Sequence, residues 1–599
     1  MHSNHLFRCK SYLTMQFLNF ACFFIPLLTT CVKCHATELT HCGLLGPVYP
    51  LPNKWTDTHA IRDAQSTFTR LMGDAIRNGT TPWGPVDAVN TTISIGVFST
   101  QSDTLLAKYQ YTGSSPEIKK RLTGSKLDTD TLYRLGSVTK MLTVYTILAK
   151  LGSKYWSEPV TSFIPELTGL TVRNSVYNFN WSEVTLGSLA GQISGIPRDY
   201  SLSDISDVPG ITTIGFPPLN TSEITACGQP GLEPCSVAES LRLILEQHPV
   251  TAPWQTPTYS NEAYQLLAMA YENITGEAFT DAFKTALVEP LQLRRTFWKS
   301  PRNDSNTMRV DTAGLNTSEG DLGEFDPAGG AWASLGDFAE LGRSVLRSSI
   351  LPERLTREWL KPISHSSQKF SSVGQPWEIV RMDVPVGPGS KESRVVDLYT
   401  KNGGYGGYNA WLFLSPDHNI GIAALVASIG APEAGAPTLF ALSELALATW
   451  IPAAEAAARE AAAANLVGTF SSQDGLNSSI SLQVVPDHQG LRITQLVHNG
   501  TDFLELLSLI WGRAGGSLQY MNLRDDGRLA FRAMWQTAKS QYPPNAVLRR
   551  ECNFQWSDVD TIKYGNAGLD EFIISVDGDG KATAVEAPAL RTLFSKRRM

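Results

Sequence analysis

The 599-residue chain contains few charged residues and no basic tract. Asp, Glu, Lys and Arg make up 18% of the sequence, and the net charge is −7. Binding to nucleic acid requires clustered Lys and Arg that neutralise phosphates, so the composition argues against a nucleic-acid partner. The hydrophobic share of 42% is ordinary for a globular protein. Because the length exceeds what one hydrophobic core organises, we expect two domains plus any processed segment.

The sequence also lacks the motifs of several enzyme classes. It has no Gly-x-Ser-x-Gly elbow, and Asp577–Lys581 reads as a hairpin turn because no spaced set of calcium ligands ending in Glu follows it. We therefore expect no metal and no cofactor. Histidines without a catalytic-triad context or metal-ligand spacing are His59, His248, His365, His418, His488 and His498.

The first 36 residues have the composition of a secretory signal peptide. Two basic residues precede an apolar run, and a small-residue cleavage position follows at Ala36. An uncleaved membrane anchor is the alternative, but Gln16, Asn19 and Pro26 interrupt the run. No later stretch is long and apolar enough to cross a bilayer. We therefore predict that residues 1–36 are cleaved, that the protein is secreted and that it has no stable membrane span.

Four cysteines follow this segment, an even number in a chain bound for an oxidising compartment. Cys227 and Cys235 flank a turn-rich Gly-Gln-Pro-Gly stretch, so we predict a disulfide between them and a second between Cys42 and Cys552. Free buried thiols are the alternative. Asn-x-Ser/Thr sequons, which fit a secreted glycoprotein, occur at Asn78, Asn90, Asn180, Asn220, Asn273, Asn303, Asn316, Asn477 and Asn499.

Hydrophobic periodicity predicts strands at both ends of the first domain and helices between them. Alternating apolar residues from Thr91 to Thr112 indicate two paired strands, and Ala410–Leu414 and Ile420–Val426 flank a five-residue turn. This order predicts an α+β domain in which helices pack against one antiparallel sheet. The predicted helices are Ser236–Gln247, Asn261–Ile274, Phe279–Val288, Leu335–Leu346 and Pro432–Trp450.

The composition changes near residue 452, where the first domain, 37–452, is predicted to end. Residues 453–465 are rich in alanine with interspersed Glu and Arg, which predicts a helical linker. Short strand-like runs separated by Gly, Asp and Asn follow, so we predict that residues 466–599 form a smaller all-β domain.

The segment Ser137-Val138-Thr139-Lys140 is the first motif that indicates chemistry. A short strand-like run precedes it and an apolar helical pattern continues to Gly152, so Ser137 and Lys140 are expected one turn apart near a helix N-terminus. The amine and the helix dipole would both favour deprotonation of the hydroxyl, which makes Ser137 a candidate nucleophile. The pattern recurs at Ser366–Lys369, but no apolar helix follows, so we interpret that copy as a loop.

Tyr259-Ser260-Asn261 stands on a predicted turn directly before a helix. A phenol is a poor base at neutral pH unless neighbouring ammonium groups lower its pKa, and Lys140 and Lys401 are the candidates for that effect. Taken without the other motifs, Tyr259 is better explained as a packed aromatic residue at a helix start.

Lys401-Asn402-Gly403-Gly404 follows a strand-like run whose end would present the lysine to a cleft. The glycines would let backbone approach a ligand closely. A phosphate cradle formed by Gly403-Gly404-Tyr405-Gly406-Gly407 is one alternative, although the glycine spacing matches neither the dinucleotide nor the nucleotide-triphosphate pattern. A plain flexible turn is the other.

In this order and at these intervals, the three motifs resemble the serine β-lactamase and penicillin-binding protein superfamily, whose signature is Ser-x-x-Lys, then Tyr-x-Asn or Ser-Asp-Asn, then Lys-Thr-Gly. The Tyr-Ser-Asn form is similar to the class C branch and its esterase and D-peptidase relatives. Leu189–Pro197 and Pro327–Ser334 resemble two supporting elements of the family, and the resemblance covers roughly residues 50–450. The predicted β-domain further resembles that of large secreted fungal β-lactamase-like proteins.

The resemblance implies a role for each matched side chain. Ser137 would attack a carbonyl carbon, and Lys140 and Tyr259 would carry its proton. Asn261 would orient Lys140, and Lys401 would hold a positive charge opposite the tyrosine.

The resemblance also assigns backbone groups. The N–H groups of Ser137 and Gly404 would form an oxyanion hole, and Asn402 and Gly403 would contact the substrate. Asn402 stands where the family often has threonine, in a stretch that helps β-lactamases hold the substrate carboxylate. This departure argues against drug hydrolysis, while the retained Lys401 leaves a carboxylate-bearing substrate open.

These residues predict a secreted serine hydrolase that forms an acyl-enzyme on Ser137 from a small ester, amide or short peptide. The same residues could instead transfer the acyl group to an alcohol or amine, as an acyltransferase of secondary metabolism would. A non-catalytic binding protein on the same scaffold is the third hypothesis. The motifs leave the substrate and the oligomeric state open.

Overall fold

The structure, a computed structural model, describes most of the chain beyond the predicted signal peptide. Residues 1–36 and the sequon at Asn316 lie outside the described residues. The described ranges are 42–168, 174–202, 204–206, 208–228, 232–312, 317–473, 475–513, 515–537, 546–548 and 552–596.

An eight-stranded antiparallel sheet, the main sheet, is assembled from both ends of the first domain. Thr91–Ser99 pairs directly with Ile420–Ser428, so early and late segments of the chain are neighbours in it. This is the arrangement that the periodicity predicts. In spatial order the strands are Ala107–Tyr111, Thr91–Ser99, Ile420–Ser428, Tyr408–Ser415, Ser393–Tyr405, Glu378–Pro385, Ser371–Val373 and Ser364–His365.

The two faces of the main sheet line two different hydrophobic cores. Val426 lies in one core and the adjacent Leu425 in the other, because successive side chains of a strand point to opposite faces. Helices His59–Asn78 and Ala436–Asn465 contribute to the core on the first face, and helix Leu335–Arg347 contributes to the core on the second. The sheet is therefore enclosed between helical layers.

The second core also contains helix Thr139–Leu151, the central helix. A 3-10 turn over Gly136–Val138 leads into it from strand Leu132–Arg134, as the sequence predicts. That strand belongs to a three-stranded sheet with the order Leu132–Arg134, Trp332–Ser334 and Thr296–Phe297. The other α-helices that the structure describes in this domain are Pro116–Lys119, Leu186–Ala190, Val237–Glu246, Glu262–Thr275, Phe279–Phe283 with a π-helical turn over Lys284–Val288, Asp326–Gly329 and Glu353–Trp359.

A single helix, Ala436–Asn465, leads from the first domain into the second, and we call it the connecting helix. The sequence predicts a helix that ends at Trp450 and then a separate linker, but Pro452 lies inside one uninterrupted helix. Trp450 and Ala454, on either side of the proline, are both fully buried in the first core. Packing on both sides of Pro452, together with the high helix propensity of alanine, outweighs the cost of the proline.

The sequence predicts no stretch after residue 36 that could cross a bilayer, but the connecting helix meets the length and composition criteria for a membrane span, with a mean hydropathy of 1.2 over 18 residues. Within the described residues it is the one helix that does so, and 56% of that window is buried inside the protein. Because a buried core helix meets the same criteria, this is weak evidence for a span.

The second domain is an antiparallel barrel. Eight of its described strands form a closed ring, because Ser479–Gln483 pairs with Gly468–Ser471 on one side and with Leu491–His498 on the other. The short strand Thr501–Asp502 and helix Phe503–Trp511 are attached outside the ring. In order around the barrel the strands are Ser479–Gln483, Gly468–Ser471, Thr592–Lys596, Ala582–Ala587, Glu571–Val576, Arg528–Trp535, Gly516–Asp525 and Leu491–His498. The predicted α+β fold with a smaller β-domain is confirmed.

The described part of the chain contains two disulfides. Cys227–Cys235 closes a short loop of the first domain, and Cys42–Cys552 ties the N-terminal segment to the second domain. These are the two pairs that the sequence predicts, so the alternative of free thiols is wrong.

Candidate active site

Ser137 is the one accessible residue in a buried stretch. Between Thr131 and Leu148 every other residue is buried, whereas Ser137 is partly exposed. The turn before it is tight because Gly136 has φ +53°, a left-handed conformation that favours glycine. Ser137 is therefore displayed by a rigid support, and we call the accessible space in front of its hydroxyl the cleft.

The ammonium group of Lys140 makes three hydrogen bonds, one for each of its N–H groups. It donates to Ser137 Oγ at 3.0 Å, to Asn261 Oδ1 at 2.8 Å and to the carbonyl oxygen of Ala328 at 2.8 Å. Its side chain is 0% exposed. The amine is therefore held against the Ser137 hydroxyl with no free donor.

Tyr259 lies beside the same serine. Its phenol is close enough to both Ser137 and Lys140 for each of them to lower its pKa. The Nζ atoms of Lys140 and Lys401 lie 4.9 and 5.5 Å from the centre of its ring. Two ammonium groups thus flank one phenol, as the pattern of motifs predicts.

The two groups closest to Ser137 have displaced pKa values. The pKa of Lys140 is lowered to about 8, chiefly by burial; Tyr259 opposes this change and the charge of Lys401 adds to it. Burial alone would raise the pKa of Tyr259, but the charges of Lys140 and Lys401 outweigh burial and bring it down to about 8. Because the two pKa values are similar, a proton can pass between amine and phenol at little cost.

Gln192 holds the turn that carries Tyr259 and Asn261. Its side-chain oxygen accepts a hydrogen bond from the Ser260 backbone N–H at 2.5 Å, and its amide nitrogen donates to the Ser260 carbonyl at 3.1 Å. Asn261 Nδ2 in turn donates to Asp199 Oδ2 at 3.4 Å, which directs Oδ1 toward Lys140. Sequence reasoning missed Gln192, although it lies inside the Leu189–Pro197 element.

Arg198 was also missed. Its guanidinium carbon lies 4.8 Å from the centre of the Tyr259 ring, and its side chain is exposed. It follows directly after the Leu189–Pro197 element, which is the only signal in the sequence that places it near the site.

Lys401 lies within a strand, not at its end as predicted. The strand Ser393–Tyr405, the Lys401 strand, continues past the lysine, while its neighbour Glu378–Pro385 stops opposite Thr400. Beyond that point one edge of the Lys401 strand is free and faces the cleft. Lys401, Asn402, Gly403 and Gly404 are therefore paired strand residues and do not form a flexible turn.

The glycines of this strand are required by close packing. A Cβ atom on Gly403 would lie 2.1 Å from the carbonyl oxygen of Leu135 and 2.7 Å from the backbone nitrogen of Ser137. A Cβ atom on Gly136 would lie 2.8 Å from the backbone nitrogen of Gly404. The segments that carry the two candidate oxyanion-hole amides, Ser137 and Gly404, are therefore in direct contact.

Glu378 binds the Lys401 strand from its neighbour. Lys401 Nζ, with a side chain that is 1% exposed, donates to Glu378 Oε1 at 2.5 Å, and the Asn402 N–H donates to Glu378 Oε2 at 2.9 Å. Burial would lower the pKa of Lys401, but the charge of Glu378 outweighs it and raises that pKa, so the ammonium is retained. No motif in the sequence marks Glu378, which precedes Lys401 by 23 positions.

The remaining candidates do not form sites. Ser366 lies in a loop and hydrogen-bonds to the backbone of Gln368 and Ser371. His418 bridges Ser415 and Glu455, but all three side chains are buried, which fits the predicted packing role of the histidine. Among the residues that the structure describes, no cluster of three or more His, Cys, Asp or Glu could hold a metal.

Two family models match the chain. The model described as "Beta-lactamase-like-like, C-terminal domain" matches residues 458–598, and the model described as "Beta-lactamase" matches residues 104–445.

Curated relatives include fungal and bacterial proteins. A "Beta-lactamase-like protein" from Arthroderma benhamiae is 28% identical over 95% of this chain and 98% of its own length. A "Probable hydrolase M10" from Phoma sp. is 27% identical over 92% of this chain and 87% of its own length. The "D-alanyl-D-alanine-carboxypeptidase/endopeptidase AmpH" of Escherichia coli is 23% identical over 50% of this chain and 71% of its own length. Since the match to residues 104–445 covers more than half of the 599 residues, this chain belongs to the β-lactamase family of hydrolases.

Proposed function

We propose that the protein is a secreted serine hydrolase that cleaves an ester or amide through an acyl-enzyme on Ser137. The observation that carries this proposal is the contact of Lys140 Nζ with both Ser137 Oγ and Asn261 Oδ1, with the Tyr259 phenol beside the same hydroxyl. The hydrolase names of the fungal relatives support the same reaction class.

Acylation begins with removal of the Ser137 proton. In the form that carries out the attack, the phenolate of Tyr259 accepts that proton and the ammonium of Lys140 stabilises the phenolate. Ser137 Oγ bonds to the carbonyl carbon, and the negative charge that develops on the carbonyl oxygen is bound by the N–H groups of Ser137 and Gly404. Each such donor contributes about 3–4 kcal/mol to the transition state in comparable enzymes.

The tetrahedral intermediate then collapses. The carbon–oxygen or carbon–nitrogen bond to the leaving group breaks, and Tyr259 returns the proton to that group. A water molecule then attacks the ester on Ser137, and Tyr259 accepts its proton. The bond between Ser137 Oγ and the carbonyl carbon breaks, Tyr259 returns the proton to Ser137, and the acid is released. An alcohol or amine in place of water would give acyl transfer.

A phosphonate probe tests the nucleophile directly. We expect a fluorophosphonate to add covalently to Ser137, because the probe mimics the tetrahedral intermediate and is attacked by the same oxygen. Mass spectrometry of peptides would locate the adduct. Ser137→Ala should remain unlabelled, and Ser366→Ala, which alters the loop copy of the motif, should label like the parent protein. An unlabelled parent protein would favour a non-catalytic binding role.

The pKa values predict a pH profile. Below pH about 8 the phenol of Tyr259 and the ammonium of Lys140 both hold their protons, so no base is available. We expect kcat/KM for a neutral ester to rise about tenfold per pH unit up to that point and then to level off. The measurement is kcat/KM from pH 5 to 10.

Tyr259→Phe provides the control for that profile. Since the tyrosine raises the pKa of Lys140, its removal should move the rising limb to lower pH and reduce the plateau. If Tyr259→Phe left kcat/KM unchanged, or if the rising limb of its pH profile stayed at the same pH, the proposed role of the phenol would be contradicted.

The proposed location rests on residues 1–36 and on the two disulfides, which form in oxidising compartments. Glycosylation fits it as well. Of the eight sequon asparagines that the structure describes, six are exposed, and Asn90 and Asn180 are half-buried.

A further inference from the structure

Glu378 is held at the free edge of the Lys401 strand by three polar contacts. Its carboxylate bridges Lys401 Nζ and the Asn402 N–H, so each oxygen has its own charged or polar donor. Its backbone is fixed by Thr400, the residue directly opposite it in the sheet. Thr400 Oγ1 donates to the Glu378 carbonyl oxygen at 2.8 Å. The Glu378 side chain is 31% exposed, so the bridge lies at the cleft surface and not in the core.

The bridge lies next to the proposed oxyanion hole. N–H groups two residues apart on a strand point to the same edge, so Asn402 and Gly404 both present theirs to the cleft. They are separated by about 6.7 Å along the strand. A substrate whose carbonyl oxygen is bound at Gly404 and whose leaving group extends along this edge would bring that group to the Asn402 N–H and Lys401.

That position already contains an anion. A substrate carboxylate placed there would have to displace Glu378 from Lys401 or lie against it, and two carboxylates beside one ammonium repel each other. Lys140 offers no substitute, because its three N–H groups are bound to Ser137, Asn261 and Ala328. Lys401 is thus neutralised from within the protein.

We propose that Glu378 is a specificity-determining residue that fills the anion position of the cleft, so that the enzyme accepts esters or amides whose leaving group is uncharged and rejects those that carry a carboxylate there. This inference rests on the proposed function. By this inference the protein differs from a carboxypeptidase, whose leaving group carries a free carboxylate. Lys401 then acts on Tyr259 through its charge and does not bind the substrate.

A matched pair of substrates tests the inference. Both are phenyl esters of an N-acylglycine, one with a meta-carboxamide on the phenyl ring and the other with a meta-carboxylate, so they differ in charge and hardly in shape. For the parent protein we expect kcat/KM to be at least 100-fold higher for the carboxamide. For Glu378→Gln, which frees the charge of Lys401, we expect that ratio to fall at least tenfold through faster hydrolysis of the carboxylate ester.

Glu433→Gln is the matched control. Its carboxylate lies beside Gly404, where it would be 3.1 Å from an added Cβ atom, so the variant removes the same charge near the same strand. The ratio should stay within threefold of the parent value. An equal fall in Glu433→Gln would mean that general electrostatics, and not the bridge to Lys401, sets the preference.

Three outcomes would overturn the inference. One is a parent protein that hydrolyses the two esters equally well, which decides the question even if Glu378→Gln fails to fold. The second is a large ratio that Glu378→Gln leaves unchanged. The third is efficient hydrolysis of the carboxylate ester that Arg198→Gln abolishes, which would place the anion site at the exposed guanidinium. Phosphonate labelling of Ser137 keeps the two proposals apart, since a labelled protein with the wrong preference refutes only the role of Glu378.

Discussion

Combining Ser137→Ala with Lys140→Met is expected to reduce ester hydrolysis no further than either substitution does alone. Each variant should lower kcat by roughly 10⁴- to 10⁶-fold, because residues that act as one unit lose nearly all of their joint effect when one is removed. Ser137 supplies the oxygen that bonds to the substrate, and Lys140, 3.0 Å from it, supplies the charge that allows its deprotonation. The activity that remains should come from the backbone donors and from substrate binding.

The measurement is kcat for a p-nitrophenyl ester in the parent protein, both single variants and the double variant. Lys150→Met is the control, because Lys150 lies near the other end of the central helix, where it pairs with Glu277 at 3.1 Å. It should retain full activity. Circular dichroism would show whether Lys140→Met folds, since it leaves Asn261 Oδ1 and the Ala328 carbonyl without a donor. Losses that add in the double variant would refute a shared role.

The part of the site that lies within one element could be predicted from the sequence. Ser137 and Lys140 are three residues apart at the start of a helix, and helical geometry alone places them side by side. The meeting of this pair with Tyr259 and Lys401 does not follow from periodicity, because it depends on how distant segments pack. For that step the resemblance to a known family was needed.

The residues that sequence reasoning missed act through tertiary contacts. Gln192 supports the site because its amide hydrogen-bonds to the backbone of Ser260, 68 positions away. Glu378 lies beside Lys401 because its strand ends opposite Thr400, the residue before that lysine. Neither belongs to a motif with its own chemistry. Glutamine and glutamate are common at protein surfaces, so nothing in the local sequence distinguishes these two from other polar residues.

The fold shows the same division between local and distant effects. The strand-like run Ile420–Val426 predicts a strand, and the observed strand is Ile420–Ser428, in which every residue is buried. The predicted helix end at Trp450 failed for a non-local reason. Burial of residues on both sides of Pro452 keeps the connecting helix intact, and the sequence around the proline does not reveal that burial.

Substitution of Gly403 by alanine is expected to lower kcat by about 100- to 1000-fold, the effect of losing one oxyanion-hole donor. The added methyl carbon would lie 2.1 Å from the Leu135 carbonyl oxygen and 2.7 Å from the Ser137 nitrogen, so the Lys401 strand must move away from the Ser137 turn. That shift separates the Gly404 N–H from the carbonyl oxygen that it would bind. Because the lost bond is made mainly in the transition state, KM should change much less than kcat.

Gly578→Ala is the control for this substitution. Gly578 lies in the hairpin turn of the second domain, and an added Cβ atom there would have no neighbour within 4 Å. Both variants replace glycine by alanine, and they differ in that only Gly403 is closely packed against another segment. Steady-state kinetics should give the parent kcat for Gly578→Ala, and thermal unfolding of both variants would separate a local shift from global destabilisation. A kcat within threefold of the parent value in Gly403→Ala would mean that the two segments need not touch for catalysis, and the oxyanion hole would then have to be formed by other donors.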